Sequence, residues 1–249
     1  EPDHVDPSNG RFVMSIHSWV VRTGRHVMLI DTCLGNDKER PDRPFWHRRQ
    51  GDFLQKLAEA GVKPEEVTHV FCTHLHVDHV GWNTQLKDGR WVPTFPNAKY
   101  LFGRTEFAHW NDELKNGVPD VNGGSFEDSV VPIIEAKQAV MVDKDYDLDH
   151  RISLEEFPGH TPGSIVMTVA DKGERGRFIG DIMHHPLQVY RPDWSSQFCW
   201  NPRMSAQSRR RLLELCAEKN DLLLPAHFGG SGCGHIHAQG DAFRIDWVK

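Results

Sequence analysis

Residues 73–81 read Thr73-His74-Leu75-His76-Val77-Asp78-His79-Val80-Gly81, placing three histidines and one aspartate within six positions. Four side chains of this kind, crowded together, repel one another or carry a steep desolvation cost unless a cation sits among them. The chemistry they support is therefore metal chemistry. Three later segments each end a short apolar run on a further metal-capable residue. They are Phe157-Pro158-Gly159-His160, Phe178-Ile179-Gly180-Asp181 and Leu222-Leu223-Leu224-Pro225-Ala226-His227. Imidazole and carboxylate donors without thiolate suit zinc, and also manganese, cobalt or iron. The remaining histidines lack such a setting: His4, His17, His26, His47, His69, His109 and His150 read as surface or packing residues. His235 and His237 read as part of an exposed tail.

The elements that must position these residues follow from patterning. Val67–Cys72 is β-rich and ends where the histidine cluster begins, so the cluster lies in the loop after a strand. Phe12–Val21 and His26–Ile30 read as a hairpin turning at Thr23-Gly24-Arg25, and the second strand runs into Asp31. Gly51–Ala60, Glu106–Lys115, Val130–Ala139 and Ser205–Lys219 read as helices. Residues 36–50, 82–98 and 116–129 read as loops, and residues 1–10 as a tail. Val140–Leu154, Ile165–Val169, Phe178-Ile179 and Leu222–Leu224 read as strands. Ligands at strand ends converge on one sheet edge. With neither a repeat nor a low-complexity linker, the expectation is a single mixed α/β domain over 1–249.

Bulk properties narrow the class. A net charge of −6 and a pI of about 6.2 argue against a nucleic-acid partner. No apolar run is long enough to span a membrane, and no signal peptide is visible. Five scattered cysteines without a CxxC pair read as reduced thiols of a cytoplasmic protein. The chain begins at Glu1 rather than Met, as a processed or trimmed chain does.

The order HxHxDH, His, Asp, His resembles the metallo-β-lactamase superfamily over roughly residues 12 to 228. The resemblance implies an αβ/βα four-layer sandwich with two mixed β-sheets flanked by helices. It implies that His74, His76 and His160 hold one zinc ion, that Asp78, His79 and His227 hold a second, and that Asp181 bridges them. Asp31 matches the first motif, whose aspartate orients the site. Such a pair of ions supplies a metal-bound hydroxide at neutral pH, and Asp78 becomes a candidate proton shuttle as well as a ligand. Asp181 stands where thiolate-using β-lactamases carry cysteine. That points to the dinuclear hydrolase branch of lactonases, methyl-parathion-hydrolase-like phosphotriesterases and glyoxalase II-like thioesterases. The double glycine usual in glyoxalase II is replaced by Gly81-Trp82-Asn83. The lactonase group often carries a tyrosine three residues after the bridging aspartate; here that position is His184, read as hydrogen-bonding the substrate oxygen or leaving group. His185 follows without an assigned role.

Loop aromatics Phe45, Trp46, Trp82, Trp91, Phe95, Trp194, Phe198 and Trp200 suggest an apolar mouth suited to an acyl chain or aromatic ester. The expected activity is hydrolysis of a lactone or other carboxylic ester, with a phosphotriester as the alternative substrate. The expected partner is that small molecule, with neither nucleic acid nor membrane, and the resemblance favours a homodimer.

Overall fold

The computed structural model describes residues 3–119 and 121–248. The chain divides into two compact units, one spanning His17–Val142, the other formed by the N-terminal stretch up to Ile16 and the chain from Asp143 onward.

The His17–Val142 unit is built on a five-stranded sheet. Its strands are β1 (Trp19–Arg22), β2 (Val27–Ile30), β3 (His69–Cys72), β6 (Lys99–Gly103) and β7 (Ala139–Val142), in that order across the sheet. β1 pairs antiparallel with β2 as the hairpin predicts; β2, β3, β6 and β7 are mutually parallel. Central β3 is buried at every position, which is why its sequence is continuously apolar after His69. Helix α1 (Phe53–Glu59) precedes β3, and the short α2 (Val77–Val80) carries the second half of the histidine cluster. Helices α3 (Arg104–Lys115), α4 (Ser125–Ser129) and α5 (Val131–Glu135) follow β6. The core gathers Leu29, Val70, Tyr100 and Phe102 from the sheet with Phe126, Val130 and Ile133 from the helices.

All three expected loops are built into the fold, residues 116–129 ending in α4 with Phe126 buried. Residues 82–98 contain the hairpin β4 (Thr84–Lys87) and β5 (Arg90–Pro93), turned by Asp88-Gly89 with both φ positive. Loop 36–50 is anchored by a buried cation: Lys38 Nζ donates to Thr84 Oγ1 at 2.6 Å and lies 3.3 Å from Asp128 Oδ1. Burial pushes its pKa down to about 8, the Asp128 charge opposing the shift.

The second unit carries a six-stranded sheet. Its order is β13 (Ala242–Trp247), β12 (Gly234–Gln239), β11 (Leu222–Pro225), β10 (Glu174–Gly180), β9 (Ile165–Asp171) and β8 (Ile152–Glu156). β10 and β11 are parallel, and every other pair is antiparallel. Helix α6 (Leu187–Tyr190) and the 18-residue α7 (Pro202–Lys219) complete it, with Leu212, Leu213 and Cys216 of α7 in its core. Among the described residues no helix is long and apolar enough to cross a membrane.

Two tail assignments are corrected here. Residues 3–12 are folded rather than a tail: Val5 bridges to Phe12, and His4, 5% exposed, stacks on Trp247 at 4.9 Å. His235 and His237 lie on β12, whose alternation buries Ile236 between them; His237 reaches Asp246 at 3.0 Å on β13. The signal was the period-two pattern of GHIHAQ followed by a Gly240 turn, masked by its polar outer face.

Candidate metal centre

In the His17–Val142 unit the parallel register decides what meets. Ile30 pairs with Phe71, so Asp31 and Thr73 emerge side by side at neighbouring carboxyl ends. Ligands in open α/β sheets gather at such ends. Asp31, 2% exposed and at φ +58°, accepts from the Thr73 backbone at 2.8 Å, from Thr73 Oγ1 at 2.8 Å and from His79 Nδ1 at 2.8 Å. His74 Nε2 lies 3.1 Å from His76 Nδ1, the His74 and His79 rings are 4.1 Å apart, and His79 Nε2 is 3.8 Å from Asp78 Oδ1. The Leu75 peptide between the first two histidines is clamped from both sides. Its N–H donates to Glu106 Oε1 at 3.0 Å, and its carbonyl accepts from Asn122 Nδ2. Gly81 permits the closing approach: a Cβ there would sit 1.9 Å from the Leu34 carbonyl carbon.

In the other unit the same edge rule operates twice. β10 and β11 are parallel neighbours, so Asp181 and His227 leave adjacent ends. β8 runs in the direction of β10 with β9 antiparallel between them, bringing His160 to that edge as well. Three buried imidazoles converge on one carboxylate. His160 Nε2 and His184 Nε2 each lie 3.3 Å from Asp181 Oδ2, and His227 Nε2 lies 2.9 Å from Oδ1. His184 was singled out in the sequence only through resemblance; the structure sets its ring parallel to His227 (4°) and 4.8 Å from His160. Neither ring nitrogen of His184 has an aligned hydrogen-bond partner among the described residues.

His185 is structural instead. Its Nε2 donates to the His4 carbonyl at 2.8 Å and its Nδ1 accepts from Leu187 N at 3.1 Å, so both nitrogens serve to fasten the N-terminal stretch and α6. The expected aromatic mouth is likewise divided. Trp82 and Phe95 belong to the core, Trp82 stacking on Phe53 at 5.5 Å, and Trp91 lies under Lys38 Nζ. Phe45, Trp194, Phe198 and Trp200 are exposed.

Hydrogen-bond partners assign the ring protons and so test whether a cation fits. The Ser15 carbonyl can only accept, so His227 Nδ1, 2.7 Å away, carries the proton and Nε2 presents a lone pair to Asp181. The Asp31 carboxylate likewise takes the His79 Nδ1 proton. The Thr73 hydroxyl donates to Asp31 and therefore accepts from His74 Nδ1 at 3.1 Å, which turns the His74 Nε2 lone pair toward His76. At His227 a lone pair faces the Asp181 carboxylate 2.9 Å away, which requires a positive charge between them, either a proton or a metal ion; His74 Nε2 is left to accept from His76 Nδ1 or to face such an ion. The donor set, imidazole nitrogens and carboxylates with their outer nitrogens already satisfied, fits a divalent cation. Thr73, Glu106, Asn122 and Ser15 escaped the sequence reading, since nothing in residue type marks a threonine hydroxyl or a carbonyl as the partner of a distant histidine.

A family model described as the metallo-beta-lactamase superfamily matches residues 11–240. An N-acyl homoserine lactonase of Bacillus cereus is 22% identical over 163 residues, 60% of this chain and 56% of that protein. The chain spans about half the length of the curated relatives it matches. Two solved structures superpose with a TM-score of 0.79, each over 95% of this chain and 80% of the other. One is AidC, a dizinc quorum-quenching lactonase in complex with a product, at 22% identity; the other is the hydrolase AbOPH in the beta lactamase superfamily, at 24%. At such identities the likeness establishes the fold, an α/β architecture of mixed sheets flanked by helices.

Proposed function

Because the chain belongs to the metallo-β-lactamase superfamily, we propose that it is a dinuclear metal-dependent hydrolase of lactones or other carboxylic esters. By the motif order of that superfamily, His74, His76 and His160 would hold one ion, Asp78, His79 and His227 the other, and Asp181 would bridge them, zinc being the ion the donors suit best. Bound there, the ions would supply an acidified water and an electrophilic pull on the substrate carbonyl.

The protein's own residues do the rest. Asp31, Thr73 and Ser15 hold outer protons of His79, His74 and His227, so that the inner nitrogens face inward as lone pairs. Glu106 and Asn122 keep the loop between His74 and His76 from relaxing. Asp78 is the residue to carry a proton to the departing alkoxide. His184, buried and without an aligned partner at either nitrogen, offers an N–H to the substrate oxygen or leaving group. The exposed Trp194, Phe198 and Trp200 offer apolar surface to an acyl chain.

The observation that supports this reading is the convergence of buried imidazoles on the Asp181 carboxylate, with His160 and His227 as the proposed ligands and His184 beside them. The zinc-loaded protein should be assayed against acyl-homoserine lactones, simple lactones, aryl esters, a thioester and an aryl phosphotriester. Turnover is expected with the lactones or esters. Preference for the phosphotriester would reassign the substrate, and turnover of none would end the hydrolase reading. In the same assay His184→Ala should lower kcat/KM by about 10- to 100-fold, the range of a lost hydrogen bond to a developing charge. Unchanged kcat/KM would exclude that role.

A further inference from the structure

Cys199 belongs to no motif, yet it lies behind His160. Its Sγ is 3.8 Å from His160 Nδ1 and 3.3 Å from Ser205 Oγ, to which the thiol donates. We propose that Cys199 is a positioning residue for His160, its sulfur accepting the Nδ1 proton so that Nε2 is presented toward Asp181.

The direction of that bond follows from counting protons. A thiol has one hydrogen, and it is committed to Ser205 Oγ, so only the sulfur lone pairs face the imidazole. His160 must then carry its proton on Nδ1, leaving Nε2 as a lone pair 3.3 Å from Asp181 Oδ2. Ser205 is itself held, since its Oγ accepts from Arg209 Nη2 at 3.0 Å. Arg209 is fully buried on α7 and has no carboxylate within ion-pair distance among the described residues. Its remaining donors go to the carbonyls of Ile182, Pro192 and Trp194. One helix thus braces the segment that follows Asp181 and, through Ser205 and Cys199, the ring of His160.

The turn carrying His160 is seated on the same helix. The Trp200 N–H donates to the His160 carbonyl at 2.8 Å, and Ser208 Oγ donates to the Pro158 carbonyl at 2.6 Å. Gly159 sits at φ +134°, and a Cβ there would come within 2.2 Å of Ser205 N. With the turn's backbone fixed, the ring keeps rotational freedom about its own side-chain bonds. The sulfur is placed to remove it.

The inference rests on His160 being a metal ligand, and the experiment separates the two ideas. Zinc affinity of the whole apo-protein is measured by competition with a chromogenic chelator. The proteins compared are wild type, Cys199→Val, Cys199→Ala, Cys199→Ser and His160→Ala, with the visible spectrum of the cobalt-loaded forms recorded alongside. Valine fills the space of the thiol without accepting a proton, and serine restores an acceptor. Cys199→Val and Cys199→Ala should bind zinc about 10- to 100-fold more weakly and shift the cobalt bands, with Cys199→Ser recovering most of the loss. A thermal melt of each apo-protein separates this from a packing role, which would lower stability without moving affinity or spectrum. If Val and Ala variants match wild type while His160→Ala binds poorly, Cys199 has no positioning role and the ligand assignment stands. If His160→Ala itself binds zinc like wild type, the ligand assignment falls and the role of Cys199 with it.

Discussion

Asp31→Asn isolates one proton. The substitution preserves shape, and asparagine tolerates the left-handed φ of +58° that Asp31 adopts. The amide oxygen can still accept the Thr73 N–H in place of Oδ1. The amide nitrogen, however, takes the position of Oδ2, 2.8 Å from His79 Nδ1. Two donors cannot face each other there, so His79 must move its proton to Nε2, the nitrogen a metal needs. The lost charge-assisted hydrogen bond costs folding about 1.5–3 kcal/mol. The cost to metal binding is about 10- to 100-fold, or roughly 1.4–2.8 kcal/mol, the usual effect of losing an outer partner of a ligand histidine. Zinc per chain after dialysis against graded free zinc, together with urea unfolding of the apo-protein, measures both quantities. A folded but measurably destabilised apo-protein with one weakened zinc is expected. A variant that binds two zinc ions as tightly as wild type would refute the tautomer reasoning. Asp31→Ala should differ by unfolding more readily, since it also leaves the Thr73 N–H without its acceptor and places alanine at a strained φ.

Further outcomes follow from other contacts. Glu106→Ala removes the acceptor of Leu75 N–H and Trp110 Nε1–H at once, and should cost about 2–4 kcal/mol of stability in urea unfolding. His69 is held by burial at a pKa of about 4, below its ordinary 6.5, with His26 and Lys99 adding repulsion. The unfolded chain therefore takes up the proton first, and stability falls as pH drops from about 6.5 to about 4. The full shift would be worth about 3 kcal/mol, roughly half of that after solvent screening. His69→Gln should flatten this limb of the stability–pH curve, and parallel curves would remove His69 as the cause. Chelation should lower the melting temperature by an amount that grows with free zinc in the control, about 2.7 kcal/mol at a hundredfold excess over Kd. A melt insensitive to zinc would speak against binding to the folded state.

The strands that end in candidate ligands were legible because each is a short apolar run closed by a turn and a polar residue. His74–His79 was legible because its density has no structural use. The hairpin over 84–93 was overlooked among prolines and tryptophans although Asp88-Gly89 marks a two-residue turn. Residues 3–12 looked like a tail because their partners, Trp247, Phe228 and His185, lie at the far end of the sequence. The outer partners of the histidines were invisible for the same reason: a carbonyl such as that of Ser15 has no residue signature, and only the fold brings it to His227.

That last contact has a temporal meaning. Ser15 and His227 are 212 positions apart, and closing so long a loop costs about 2.7 kcal/mol more than closing one of ten residues. That entropy is lost before the contact can stabilise the fold. During synthesis the N-terminal stretch waits for the ribosome to deliver β11 before His227 can be locked in its tautomer. On the proposed ligand assignment, metal capture on that side would be among the last events of maturation, and a nascent chain stalled before β11 would hold an incomplete set of donors.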